Sequence, residues 1–215
     1  MSISLEQAFR ECPVVAILRG VSPEEVVDVA QVLYDAGIRI AEVPLNRPNA
    51  FDSIARLSAA MGERMLVGAG TVLDTAAVER VVDSGGRLCV APNVDTAVIE
   101  ASLARGAVPM PGFQTVTEAF TAIKAGARWL KYFPAVGGLE AVKAMREVLP
   151  TEMKILAVGG VDTGNVRAFL DGGFDGVGIG GGFYKSGRPL VEIGHYAQAV
   201  AGRIAGMSEL EGTAQ

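Results

Sequence analysis

The sequence predicts a single (β/α)8 barrel, and three observations carry that prediction. Short apolar runs alternate with amphipathic segments in eight successive units, about twenty to thirty residues apart. The runs are continuously hydrophobic, as strands buried on both faces of a parallel sheet must be. Polar residues and glycines stand at the ends of those runs, where barrels carry their working groups. The 215 residues suffice for one domain with a sizeable core, near the compact end for this architecture. An open doubly wound sheet is the competing architecture. Its glycine-rich dinucleotide loop should follow the first strand, but here that strand ends Arg19-Gly20-Val21-Ser22.

Taken in order, Ile3 to Glu11 has helical spacing and would plug one end of the barrel before Pro13 breaks it. Val14 to Leu18 is the first strand. Ser22 as N-cap, Pro23 in the first turn and Glu24-Glu25 predict a helix that Gly37 stops. The second strand, Ile38 to Val43, stops at Pro44, and a helix over Phe51 to Met61 follows. Met65 to Thr71 is the third strand, and Asp74 caps the helix running to Asp83. Leu88 to Ala91 leads through Pro92-Asn93 to a helix over about Thr96 to Arg105. Val108 to Met110 is a short fifth strand ending at Pro111-Gly112-Phe113. Thr115 or Thr117 caps the next helix, ended by Gly126. The sixth strand begins at Trp129 and has a lysine in its middle. Leu139 to Val148 is helical. Lys154 to Val158 is the seventh strand, ending at Gly159-Gly160. A helix over roughly Asn165 to Leu170 leads to the eighth, Gly176 to Ile179, which ends at Gly180-Gly181-Gly182. The last helix covers about Leu190 to Ile204, and the tail from Gly206 is expected to fray. No linker divides the chain, so residues 1–215 read as one domain.

Half the residues are hydrophobic and 27 are glycine, which describes a globular chain and not a disordered one. The net charge of −5, with no basic cluster, argues against nucleic acid or an anionic membrane as partner. The N-terminus lacks the basic and apolar regions of a signal peptide, and no apolar run spans a membrane. A cytoplasmic location is therefore expected. Cys12 and Cys89 sit in apolar surroundings and read as buried free thiols. One histidine and two scattered cysteines give no zinc-type spacing, so no metal and no cofactor are expected. His195 falls in the last helix, away from the strand ends, and reads as structural or surface.

The chemistry is concentrated at the strand ends: Arg19, Glu42, Thr71, Asn93, Gly112, Lys131, Gly160 and Gly180. Alternation sets Trp129, Lys131 and Phe133 on one face of their strand and Leu130 and Tyr132 on the other. Burying an ammonium beside aromatic rings costs several kcal/mol unless it is paired or neutral. A desolvated lysine loses its proton more readily, and the free amine attacks carbonyls. The plainer reading is a lysine that reaches the strand end and pairs with a carboxylate. Of the five lysines, only Lys131 lies late in a strand. Lys154 begins one and belongs to the opposite, stability face.

Glu42 follows Ile40-Ala41 and precedes Val43-Pro44. It is either an ion-pair partner of Arg19 or Lys131, or a general acid/base tuned by its pocket. Arg19 could pair with Glu42 or hold a substrate carboxylate. Thr71 follows Gly68-Ala69-Gly70, and a turn role suits it as well as a substrate contact. Gly159-Gly160 and Gly180-Gly181 end the last two strands, the usual place for a phosphate in such barrels, although glycine pairs are also ordinary turn residues. Lys185, Ser186 and Arg188 follow and read as solvated rim. An amine, a carboxylate, an arginine and a phosphate cradle fit one reaction class: imine formation with a ketone, then base-triggered carbon–carbon cleavage.

Glu42-Val43-Pro44-Leu45-Asn46, Val67-Gly68-Ala69-Gly70-Thr71-Val72, Pro92-Asn93, Lys131-Tyr132-Phe133-Pro134 and Gly159-Gly160-Val161 together resemble the class I 2-keto-3-deoxy-6-phospho-sugar-acid aldolases. The resemblance runs from about Val14 to Ala205. Ala16 to Gly20, Pro44-Leu45-Asn46, Pro92-Asn93 and Ala157 to Val161 set the chain nearer the branch acting on the galactonate epimer. Gluconate-epimer enzymes tend to carry Thr-Leu-Arg in place of Pro44-Leu45-Asn46, and a threonine in place of Val158. The resemblance implies a Schiff base at Lys131, a proton shuttle at Glu42, and Arg19 and Thr71 on the pyruvyl end. It implies a phosphate held by Gly160, Gly180 and Gly181. It further implies reversible cleavage to pyruvate and D-glyceraldehyde 3-phosphate, in galactonate breakdown, by a metal-free homotrimer. Two departures stand out. Phe113-Gln114 replaces smaller residues and would alter the pocket floor. The run Gly180-Gly181-Gly182 lacks the serine or aspartate of many relatives, leaving the phosphate more to backbone amides. The rival readings are the gluconate epimer or both epimers as substrate, a phosphosugar isomerase using Glu42 without covalent catalysis, and a non-catalytic sugar-phosphate-binding protein.

Overall fold

The computed structural model of the chain describes residues 2–211. In them, helices α1 (Leu5–Glu11), α2 (Val26–Asp35), α3 (Ala50–Met61), α4 (Thr75–Asp83), α5 (Thr96–Ala104), α6 (Val116–Lys124), α7 (Leu139–Arg146), α8 (Val166–Asp171) and α9 (Leu190–Glu211) surround a parallel sheet. Its strands are β1 (Val14–Ile17), β2 (Ile40–Pro44), β3 (Leu66–Gly70), β4 (Leu88–Val90), β5 (Val108–Met110), β6 (Gly112–Phe113), β7 (Trp129–Tyr132), β8 (Lys154–Val158) and β9 (Gly176–Ile179). The order around the sheet is β5-β4-β3-β2-β1-β9-β8-β7-β6.

The eight expected units are present, with the fifth strand broken in two. Pro111 separates β5 from β6 and has no N–H to give to a ladder. The pieces still bridge the last gap. The Ala91 amide donates to the Met110 carbonyl at 3.1 Å, and the Lys131 amide donates to the Pro111 carbonyl at 2.9 Å. The barrel is thereby nearly closed, with its strand ends gathered at one mouth.

Period-two alternation sorts the apolar residues into two layers. Val15, Ile17, Ile40, Leu66, Leu88, Met110, Trp129 and Leu156 point inward and share one cluster with Ile3, Leu5, Ala8 and Phe9. Leu130, Tyr132, Ile155 and Val177 point outward into the larger cluster beneath the helices. Helix α1 does plug the barrel's N-terminal end. Its N-cap Ser4 accepts from the Gln7 amide at 3.1 Å, and the Phe9 ring lies 4.5 Å from that of Trp129. At the same end Asp175 accepts from Lys154 Nζ at 2.9 Å and from the Ile155 amide at 2.8 Å, and also pairs with Arg146. Lys154 is thus at the stability face, as its position in the strand implies.

Three expectations need correction. Ser22 does not cap α2 with its side chain; the helix starts at Val26, and Ser22 accepts from the Glu25 and Val26 amides through its carbonyl. Its own amide donates to Glu25 Oε1 at 3.2 Å, so a hydrogen-bonded turn replaces the expected first turn of helix. The fraying expected from Gly206 is not seen as far as Glu211, where α9 ends; residues 212–215 lie outside the described residues. Arg188 is not a solvated rim residue, because its guanidinium is half-buried and donates to the carbonyls of Gly182 and Phe183. Cys12 and Cys89 are buried free thiols, and burial pushes both up to about 11.

Candidate active site

A cavity of about 480 Å³ opens at the C-terminal ends of the strands. Arg19, Glu42, Thr71, Lys131, Gly160, Gly180 and Gly181 all line it, so the residues given catalytic, pyruvyl or phosphate roles from sequence reach one space. The reason is the strand period. Ile40 and Trp129 point inward, so Glu42 and Lys131, two residues further on, must too. Two others of the predicted ring do not reach the cavity: Pro92 lines it in place of Asn93, and Gly112 instead packs against the Pro92 backbone.

Among the described residues, Glu42 and Lys131 are the only charged side chains that are buried, at 2% and 7% exposure. Neither forms the ion pair considered from sequence, since among the described residues no carboxylate lies within 4.0 Å of Lys131 Nζ and no cation that close to Glu42. Lys131 Nζ instead stands 4.5 Å from the centre of the Phe133 ring. Glu42 Oε2 is buried without a hydrogen-bond partner.

Desolvation acts on the two groups in opposite directions. Burial holds Glu42 up at about 7, against opposing pulls from Lys131 and Arg19. Burial drives the Lys131 amine below its ordinary value; Glu42 resists that shift and Arg19 adds to it. Each change moves a group toward neutral pH, where one can attack a carbonyl and the other can give and take protons.

Arg19 is exposed at the mouth and donates from NH1 to Asn46 Oδ1 at 3.0 Å. Asn46 lines the cavity as well and was not among the residues picked out for the site. Thr71 sits at φ +58°, in the left-handed region that a β-branched residue rarely enters. Gly159 and Gly160 also have positive φ, +90° and +80°. Gly180 and Gly181 are glycines for another reason. A Cβ at Gly180 would come no nearer than 3.7 Å to Ile17, and one at Gly181 would meet only Lys185 Cε at 3.5 Å. Packing would tolerate side chains there, so bare backbone keeps that wall of the cavity open.

Phe113 does not form the pocket floor. It faces the helix layer, edge-on to Tyr132 at 5.4 Å. Gly182 likewise turns away from the cavity, against the Tyr196 ring. The floor and inner wall are instead Ile17, Val158 and Gly178.

The family profile described as KDPG and KHG aldolase matches residues 5–198. The chain belongs to this aldolase family. Two curated relatives are similar over most of their length. A Rhizobium meliloti protein named "Probable 2-dehydro-3-deoxy-6-phosphogalactonate aldolase" is 45% identical over 184 residues, covering 85% of this chain and 87% of the relative. The 2-dehydro-3-deoxy-6-phosphogalactonate aldolase of Escherichia coli K12 is 39% identical, covering 87% and 92%. A solved structure described as "Native KDPGal structure" superposes with a TM-score of 0.90 at 35% identity, covering 97% of this chain and 100% of that one. The KDPG aldolase of Legionella pneumophila, solved with pyruvate captured as a covalent carbinolamine, superposes with a TM-score of 0.78 at 25% identity, covering 92% and 94%. As a member of this family the chain is a carbon–carbon lyase on a barrel scaffold.

Proposed function

We propose that this aldolase works through a Schiff base at Lys131 and cleaves 2-dehydro-3-deoxy-6-phosphogalactonate to pyruvate and D-glyceraldehyde 3-phosphate. The observation that carries the proposal is the buried Lys131 amine, shifted toward its neutral form, facing one cavity with an unpartnered Glu42 carboxylate oxygen. The covalent pyruvate adduct of the Legionella relative supports the same chemistry here.

The neutral amine adds to the C2 ketone and gives a carbinolamine, which takes a proton from Glu42 and loses water to become an iminium, leaving Glu42 as the carboxylate. The iminium is an electron sink. Glu42 takes the proton from the C4 hydroxyl, the C3–C4 bond breaks, and its electron pair enters the sink as an enamine. The C4–C6 fragment leaves as glyceraldehyde 3-phosphate. Glu42 returns a proton to C3, and water releases pyruvate and the free amine. A carboxyl group near 7 can serve in both directions at neutral pH. Arg19, oriented by Asn46, and Thr71 hold the pyruvyl carboxylate and its neighbouring oxygens. The backbone at Gly160, Gly180 and Gly181 grips the phosphate, whose binding orients the reacting bond.

Val158 on the inner wall offers no hydrogen bond to a substrate hydroxyl. It supports the galactonate epimer over the gluconate one, because a site reads a hydroxyl by hydrogen bonds made or left unmade. The family resemblance also supports a homotrimer in the cytoplasm, acting in galactonate breakdown. Pyruvate release from each epimer, measured side by side, tests the reading. Faster turnover of the galactonate epimer is expected. Preference for the gluconate epimer would overturn the substrate assignment, and no turnover of either would overturn the reading as a whole.

A further inference from the structure

The inner face of β3 has no side chain beside Glu42. Leu66, Gly68 and Gly70 point inward in turn, and in the register of β2 on β3 Glu42 pairs with Gly68 and Pro44 with Gly70. The Glu42 side chain runs along this glycine trough. Its carboxylate ends where a side chain of residue 70 would begin. A Cβ on Gly70 would lie 1.9 Å from Oε2, 2.4 Å from Cδ and 2.5 Å from Oε1 of Glu42. No carboxylate can stay at those distances.

The two glycines of the trough differ in what they exclude. A Cβ on Gly68 would strike the Leu88 backbone carbonyl at 2.2 Å, so that glycine lets β3 and β4 approach. For Gly70 the three nearest atoms all belong to Glu42. Backbone conformation does not demand glycine there, because Gly70 is absent from the glycines with positive φ. Space for the carboxylate is what demands it. Oε2 has no hydrogen bond to fix it, so the wall behind it sets where it rests.

We infer that Gly70 is a positioning residue: its missing side chain sets the depth at which the Glu42 carboxylate sits and hence its alignment on the substrate held at Lys131. The inference rests on the reading of Glu42 as the proton carrier. A methyl group at residue 70 pushes the carboxylate toward the mouth, out of line and into water. Proton transfer then slows while the amine and the phosphate site are untouched.

The test compares Gly70→Ala, Glu42→Asp and the double variant in three readouts: turnover, the acid limb of the pH profile, and exchange of the pyruvate methyl protons with solvent. Gly70→Ala should lower kcat about 100-fold, the scale of an ångström's misplacement. KM and borohydride trapping of pyruvate should stay near wild type, and the acid limb should move to lower pH as the carboxylate gains water. The double variant should lose less turnover than the product of the two single losses, because aspartate is one methylene shorter and relieves the clash with the new methyl. Wild-type exchange and an unmoved acid limb in Gly70→Ala would overturn the inference, as would a double variant whose losses simply multiply. If Gly70→Ala does not fold, the double variant should, since its clash is gone; failure of both to fold would also overturn it. Glu42→Gln separates the two claims. Normal proton exchange in that variant would sink the reading of Glu42 itself. Lost exchange there, with a normal Gly70→Ala, would sink only the role of Gly70.

Discussion

Glu42 and Lys131 are placed where a stable core would choose neither. The linkage of protons to folding makes that placement measurable. Folded Glu42 keeps its proton to about 7, whereas the unfolded side chain releases it near 4.5. Between those values the folded state binds more protons, so Glu42's contribution to stability is complete below the lower value and is lost as pH rises through the upper one. Glu42→Gln has no such loss. Thermal unfolding of the two proteins should show the variant gaining on wild type by several degrees from pH 5 to pH 8. A gap that stays constant over that range would contradict the raised value. Lys131 has the opposite sign. Its folded amine sheds its proton below the ordinary lysine value, so its contribution grows as pH climbs through that interval. Thr71 strains the backbone at φ +58°. Thr71→Asn, which tolerates that conformation, should stabilise by about 1 kcal/mol, or about 3 °C in Tm, while lowering turnover. A drop in Tm would show that Thr71's contacts outweigh its strain. These residue-scale features were only half legible. Alternation set Lys131 on one face of its strand with Trp129, but only the closed sheet shows that this face, and Glu42 with it, points inward. Nothing local announced the bond from Arg19 to Asn46, which joins two loops 27 residues apart.

At the scale of single elements, the best-read features were those whose partners lie within four residues. Asp74 caps α4 by accepting from the Ala77 amide at 2.7 Å. Between the two threonines that could start α6, Thr115 does so. It accepts from the Glu118 amide at 3.3 Å, while Glu118 accepts from the Thr115 amide at 2.8 Å. Thr115→Ala should cost about 1 kcal/mol, or about 2–4 °C, with turnover unchanged. Unchanged Tm would mean the box contributes nothing beyond water. Ser22 misled because its hydrogen bonds come from the backbone and from Glu25, which also pairs with the Tyr184 hydroxyl in the segment after the neighbouring β9. That last contact is distant in sequence and leaves no local trace. The break at Pro111 was readable as a strand stop. The resumption of pairing at Gly112–Phe113 was not, because it depends on β7 lying alongside.

For the whole molecule, the division of labour between the two ends was legible from strand position alone. Ions at the N-terminal end pair with each other, as Asp175 does with Lys154 and Arg146. The charges at the other end point into an open cavity. Helix α1 belongs to the stable end, and its Phe9 fills the barrel against Trp129. Phe9→Ala should cost about 3–5 kcal/mol in chemical unfolding, with KM near wild type in the protein that remains folded. A cost below about 1 kcal/mol would mean that α1 is no plug.

All of the proposed chemistry passes through one covalent bond, and trapping that bond is the most direct measurement. The protein is treated with borohydride in the presence and absence of pyruvate, digested, and its peptides weighed. The account predicts irreversible inactivation only with pyruvate, and a reduced pyruvyl group on the peptide containing Lys131. Retained activity, or an adduct on any other lysine, would contradict it.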